Sequence, residues 1–159
     1  MTMQSESARM TTAAEARFRV QAPNSWPRSV KAIALDAAGS AVVEGLAGMG
    51  WQHAAFFTAL LPDGLRDLTG RGCAIDDEVG TADLVVLLAG PGGHAHAASI
   101  VGQACSQRRV MTTGFLVGAA VASERDIATT LAQLRPWSLM VVIANDDDYL
   151  VDMMTALRA

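Results

Sequence analysis

The chain has 159 residues, of which 51% are hydrophobic and 18% are charged, and its formal net charge is −4. This composition is typical of a compact globular protein and excludes a largely disordered chain. The acidic balance, with Lys31 as the only lysine, argues against a nucleic-acid or anionic-membrane binder, because both need dense basic side chains.

Residues 1–27 are polar and rich in Ala and Thr, and we expect them to form a flexible leader. Within them, Phe18-Arg19-Val20 has a composition that can pair on a sheet edge, and residues 23–27 are interpreted as a hinge into one folded domain over residues 28–159. No segment has the apolar block of a signal peptide or the roughly 20 apolar residues of a membrane span. We therefore expect a cytoplasmic protein without a membrane partner.

From Val30 onward, short apolar runs alternate with helical patterns, which is typical of βαβ units. Strands are predicted over residues 30–35, 54–61, 84–88, 110–117 and 139–144, with a minor strand over 73–75. Helices are predicted over residues 40–49, 64–68 and 95–107, then from a Ser123 cap to Pro136, and finally after a cap at Asp147 or Asp148. Residues 76–78 are interpreted as a solvated loop. The pattern predicts an α/β, Rossmann-like doubly wound, mostly parallel sheet with helices on both faces.

The cysteines and two tryptophans are interpreted as packing residues. Cys73 and Cys105 have no C-x-x-C spacing, so both are expected to be buried free thiols. Trp51 and Trp137 each follow a predicted helix and are expected to pack on the flank of the sheet.

Three loops follow predicted strands and would share one edge of a parallel sheet. Their sequences are Asp36-Ala-Ala-Gly-Ser40, Gly90-Pro-Gly-Gly-His94 and Asn145-Asp-Asp-Asp148. Glycines there let the main chain approach a ligand, and amides at the start of the next helix favour an anion such as phosphate. The alternative is that tight strand-to-helix turns need these glycines with no ligand present.

Three further segments carry a family resemblance: residues 82–93 (Ala-Asp-Leu-Val-Val-Leu-Leu-Ala-Gly-Pro-Gly-Gly), 110–114 (Val-Met-Thr-Thr-Gly) and 138–146 (Ser-Leu-Met-Val-Val-Ile-Ala-Asn-Asp). In this order they resemble the GTP-binding half of the FtsZ/tubulin family, over residues 29–157. The family has an Ala-Gly-x-Gly-Gly-Gly-Thr-Gly-Thr-Gly loop that wraps nucleotide phosphates, and a later strand that ends in Pro-Asn-Asp or Pro-Asn-Glu. The resemblance implies a ligand site, with a guanine nucleotide as the candidate cofactor, at Gly39, Ser40, Gly90, Gly92, Gly93, Asn145 and Asp146. His94, which follows the glycine loop, is a further candidate ligand-binding residue.

The departures from this family change the expected function. Where the family has Gly-Thr-Gly-Thr-Gly, this chain has His-Ala-His-Ala-Ala at residues 94–98, which adds Cβ atoms and removes both hydroxyls. Asp36 also brings a negative charge to the first loop, and we expect no counterpart of the family's second domain. We therefore expect a diverged, truncated relative that is non-catalytic and binds a nucleotide or another anion. A protein-interaction or regulatory module that has lost nucleotide binding is the alternative.

The histidines leave a third hypothesis open, in which His94 or His96 acts as acid or base in a small enzyme. A His-x-His pair in extended geometry directs both rings to one side, whereas in the first turn of a helix the two rings diverge. No metal site is assigned. The apolar C-terminal helix leads us to expect a homo-oligomer.

Overall fold

The computed structural model describes residues 26–60, 62 and 64–159. Its strands are β1 Val30–Ala34, β2 Ala54–Leu60, β3 Gly64–Asp67, β4 Gly72–Cys73, β5 Leu84–Ala89, β6 Met111–Leu116 and β7 Met140–Ile143. Its α-helices are α1 Ala37–Ala47, α2 Ile75–Gly80, α3 Ala98–Arg108, α4 Glu124–Leu134 and α5 Asp148–Ala156. The proposed leader and the 18–20 strand lie almost wholly outside the described residues.

The strands form one seven-stranded sheet in the order β4-β3-β2-β1-β5-β6-β7. The neighbouring strands in the part of the sheet ordered β2-β1-β5-β6-β7 are parallel. At the other edge, β3 pairs antiparallel with both β2 and β4. The prediction of a mostly parallel α/β sheet of the Rossmann-like class is confirmed. Helices α2, α3 and α4 pack over one face, and α1 and α5 pack over the other.

Strand β5 lies at the centre of the sheet and all six of its residues are buried. Its sequence, Leu-Val-Val-Leu-Leu-Ala, is apolar at every position because it contacts a core on each face. The continuous apolar run therefore identified the central strand correctly, and it positions the glycine loop that follows.

The predicted helix over residues 64–68 is wrong. Residues 64–67 form β3, and the Asp67 carboxylate accepts hydrogen bonds from the Thr69 amide and hydroxyl and from the Arg71 amide, which closes a tight turn into β4. These bonds hold the pKa of Asp67 below its usual value, the Thr69 hydroxyl contributing most. A five-residue segment is also too short to stabilise an isolated helix.

The acidic segment over residues 76–78 lies in α2 and is not a loop. Three carboxylates in the first turn favour a helix because its N-terminus is electropositive. Val79 is buried in the core, and the Glu78 carboxylate lies 3.1 Å from the Lys31 amine. Tertiary contacts thus stabilise a helix that the charge run alone does not indicate.

Several helix boundaries differ from their predictions. Helix α1 begins at Ala37 because Asp36 caps it, and α3 begins at Ala98, three residues later than expected. The Ser123 cap is confirmed, since its side chain accepts a hydrogen bond from the Asp126 amide. Strand β1 ends at Ala34, one residue early.

The packing predictions are largely confirmed. The Trp51 indole donates a hydrogen bond to the Leu46 carbonyl oxygen, and Trp51 and Trp137 pack against opposite cores. Cys105 is buried as expected, but Cys73 lies on the edge strand β4 and is only half-buried. Within the described ranges, every helix is too short or too polar to cross a membrane.

Candidate functional site

The three predicted loops emerge at the same edge of the sheet, as expected for parallel strands. Strands β1 and β5 are neighbours, so the Asp36 and Gly90 loops meet directly. Strand β6 separates β5 from β7, which places the Asn145 loop two strand spacings, roughly 10 Å, from the glycine loop. Ligands in such folds bind where the strand order reverses, here between β1 and β5.

The Asp36 carboxylate bridges these two loops. Its Oδ1 accepts a hydrogen bond from the Gly39 amide at 2.8 Å, and its Oδ2 accepts one from the Gly90 amide at 2.9 Å. The residue has extended backbone geometry and is the N-cap of α1. A negatively charged group of the chain itself therefore occupies the position that a bound anion would take at this helix N-terminus.

Two of the predicted ligand glycines are required by close packing. An ideal Cβ at Gly39 would lie 2.3 Å from the Leu88 carbonyl oxygen, and one at Gly90 would lie 2.5 Å from the Ala38 Cβ. Ser40 is likewise used within α1, where its hydroxyl donates to the Asp36 carbonyl oxygen. The structure therefore gives these residues a role that needs no ligand.

Thr130 of α4 fixes the first half of the glycine loop. Its hydroxyl is buried, accepts a hydrogen bond from the Gly93 amide at 3.0 Å and donates one to the Gly90 carbonyl oxygen at 2.9 Å. Gly93 itself has a φ of 79°, a conformation that side chains other than glycine rarely adopt. Thr130 was not among the predicted site residues. Its spacing from Ile127 and Leu134, on the apolar face of α4, was the available signal.

Gln133, also on α4, fixes the second half of the loop and was missed as well. Its Oε1 accepts from the Ala95 amide and its Nε2 donates to the Gly93 carbonyl oxygen, both at 2.9 Å. The Gly92 amide donates to the Asp126 carbonyl oxygen at 3.2 Å. The chain's own acceptors therefore use most of the amides that would surround a phosphate.

The two histidines lie before α3 and not in its first turn. His94 and His96 are exposed while Ala95 between them is buried, and the Ala98 amide donates to the Ala95 carbonyl oxygen at 3.0 Å, which places His96 in a turn. The His96 Nδ1 lies 3.3 Å from the Gln133 Nε2. Among the described residues, no group of three His, Cys, Asp or Glu side chains is arranged to hold a metal ion.

Asn145 and Asp146 are exposed beyond the end of β7. The Asp146 carboxylate accepts a hydrogen bond from the Asp148 amide at 3.1 Å. Asp147 is the N-cap of α5, as predicted, but its side chain makes no cap hydrogen bond. Both predicted residues lie apart from the bridge between β1 and β5.

Comparisons with known proteins returned no family model and no curated protein that matches this sequence. The resemblance to the FtsZ/tubulin family therefore stays a prediction based on the motifs quoted above.

Proposed function

We propose that this domain is a non-catalytic protein-interaction module, built on a Rossmann-like scaffold of FtsZ/tubulin type. In this proposal, the loops at the carboxyl ends of β1 and β5 no longer accept nucleotide phosphates. The observation that carries the proposal is the Asp36 carboxylate bound to the amides of Gly39 and Gly90. It supports the alternative in which nucleotide binding has been lost.

Two physical effects disfavour the binding of a phosphate beside the Asp36 carboxylate. A phosphate oxygen about 4 Å from the carboxylate meets a repulsion of about 1 kcal/mol in bulk water and about 4 kcal/mol near a protein surface. It would also have to replace hydrogen bonds that the loop already makes with Thr130 and Gln133. A main-chain amide adds to the affinity for a ligand only when no group of the protein already accepts its hydrogen bond.

A second candidate is a small anion bound between His94 and His96, with or without acid-base chemistry. Both side chains are exposed, and the structure gives their main-chain amides no partner among the residues it describes. This arrangement supports the ligand-binding and small-enzyme hypotheses only for a small anion at the two histidines and not for a nucleotide. Inorganic phosphate is the suitable probe, with the His94→Ala, His96→Ala double variant as its control.

The proposal is tested by isothermal titration of the full chain with GTP, GDP, ATP, NAD and pyrophosphate in the presence of Mg²⁺. We expect only the heat of dilution with each nucleotide. Saturable binding of any nucleotide at submillimolar concentration would overturn the proposed function. Phosphate binding that the double histidine variant abolishes would favour the second candidate instead.

A further inference from the structure

The two edges of the sheet differ in how they are protected. Strand β4 ends one edge with two residues, and an ion pair between Arg71 and Asp67 lies beside it. Strand β7 ends the other edge with Met-Val-Val-Ile, which contains no charge and no proline. Exposed edge strands are normally short, charged or interrupted, because free main-chain groups pair with other strands. The β4 edge has this protection and the β7 edge does not.

Large apolar side chains are exposed along the β7 edge. Leu139 is 81% exposed, Met140 47% and Ile143 49%, and the neighbouring Met111 at the start of β6 is 54% exposed. A surface notch of about 380 Å³, lined in part by Leu139, Met111 and Arg109, continues this surface at the amino end of β7. Exposed apolar side chains along an edge strand are typical of an interaction surface.

The charges at the two ends of β7 indicate which partner fits. Arg109 and Arg135 are exposed at the amino end and form no ion pair within the part of the chain that the structure describes. The acidic run of residues 146–148 is exposed at the carboxyl end. A second β7 that runs antiparallel places the basic end of each strand beside the acidic end of the other. The edge is therefore complementary to itself in charge as well as in main-chain hydrogen bonding.

We propose that two copies of this chain pair through their β7 strands, antiparallel and across a two-fold axis, to join two sheets into one. Directly opposite residues of antiparallel strands share a face of the sheet. Centring the axis on Val141 places Leu139 opposite Ile143 of the second copy, whereas centring it on Val142 would place Leu139 opposite the polar Asn145. The first register covers the most exposed apolar side chain of the edge. This inference specifies the partner of the interaction module proposed above and rests on that function.

The test measures the mass of the full chain by analytical ultracentrifugation from about 1 to 200 μM. We expect a reversible dimer of twice the 16.6 kDa chain mass. Leu139→Lys should weaken the dimer at least tenfold, because each copy then places a charged side chain opposite the apolar Ile143 of the other. Leu68→Lys is the matched control, since Leu68 is an exposed apolar residue near the β4 edge, and it should leave the dimer unchanged. Circular dichroism checks that both variants fold.

The register is tested by a cysteine on the proposed axis. Val141→Cys in a Cys73→Ser background should form a disulfide-linked dimer under mild oxidation, because opposite Cα atoms of paired strands lie about 4.5–5.5 Å apart. A monomer throughout the concentration range, a Leu139→Lys variant that still dimerises normally, or no cross-link through position 141 would overturn the inference. A monomeric chain that binds no nucleotide would contradict the dimer but not the loss of nucleotide binding at the loops after β1 and β5. A dimer that binds GTP would contradict the proposed function alone.

Discussion

Replacing Asp36 with alanine removes the bridge between the β1 and β5 loops. The carboxylate accepts two main-chain hydrogen bonds, of 2.8 and 2.9 Å, and both are part-buried. An N-cap side chain contributes about 0.5–2 kcal/mol, and a hydrogen bond to a charged group contributes about 1.5–3 kcal/mol. We therefore expect Asp36→Ala to lower the free energy of unfolding by about 2–5 kcal/mol.

Asp36→Asn separates the two contributions. Its amide oxygen can still accept from the Gly39 amide, but its NH₂ group cannot accept from the Gly90 amide, so about half of the loss should remain. Asp152→Ala is the control, because Asp152 is an exposed carboxylate on α5 that makes no side-chain hydrogen bond or ion pair with the residues that the structure describes. Urea unfolding followed by tryptophan fluorescence measures all three variants. A change below about 0.5 kcal/mol for Asp36→Ala would refute the bridge.

Three further predictions concern packing and the loop. Gly39→Ala should unfold the protein or destabilise it by more than about 3 kcal/mol, because the added Cβ would overlap the main chain of β5. Gly45→Ala on the same helix is the control, since its Cβ would enter open space, and it should stabilise the protein by about 0.5–1 kcal/mol. Thermal melts compare the two variants. Thr130→Val should cost about 1–3 kcal/mol in urea unfolding, because it leaves two buried main-chain groups unpaired, and a neutral result would contradict its role. Burial raises the pKa of the Cys105 thiol, so a thiol reagent should label the half-buried Cys73 first. Equal labelling rates for the two cysteines would contradict the burial of Cys105.

The sequence predicted the features that depend on local pattern. The fully apolar run of β5 identified the central strand, because burial on both faces leaves no polar position in it. The Ser123 cap was found because its acceptor and donor lie three residues apart. The two cases that failed have different causes. The tertiary burial of Val79 stabilises α2, whereas the local hydrogen bonds of the Asp67 turn stabilise β3.

The three loops share one edge of the sheet as predicted, but the hydrogen bonds that hold the first two together were not predictable from the loops alone. The glycines marked where β1 and β5 end, and the added charge of Asp36 was noted. Its hydrogen bond to Gly90 spans 54 residues of sequence, and those of Thr130 and Gln133 to the glycine loop span 37 to 40. Such contacts depend on how α4 packs beside β5, which no local motif specifies.

Amide chemical shifts of Gly39 and Gly90, measured by NMR on the full chain, report directly on whether the carboxylate or a ligand occupies this edge. We predict that Asp36→Asn moves both resonances, the Gly90 signal more than the Gly39 signal, and that millimolar Mg-GTP or pyrophosphate leaves both unchanged in the unmodified chain. Saturable movement of these two signals with either phosphate compound would contradict the account.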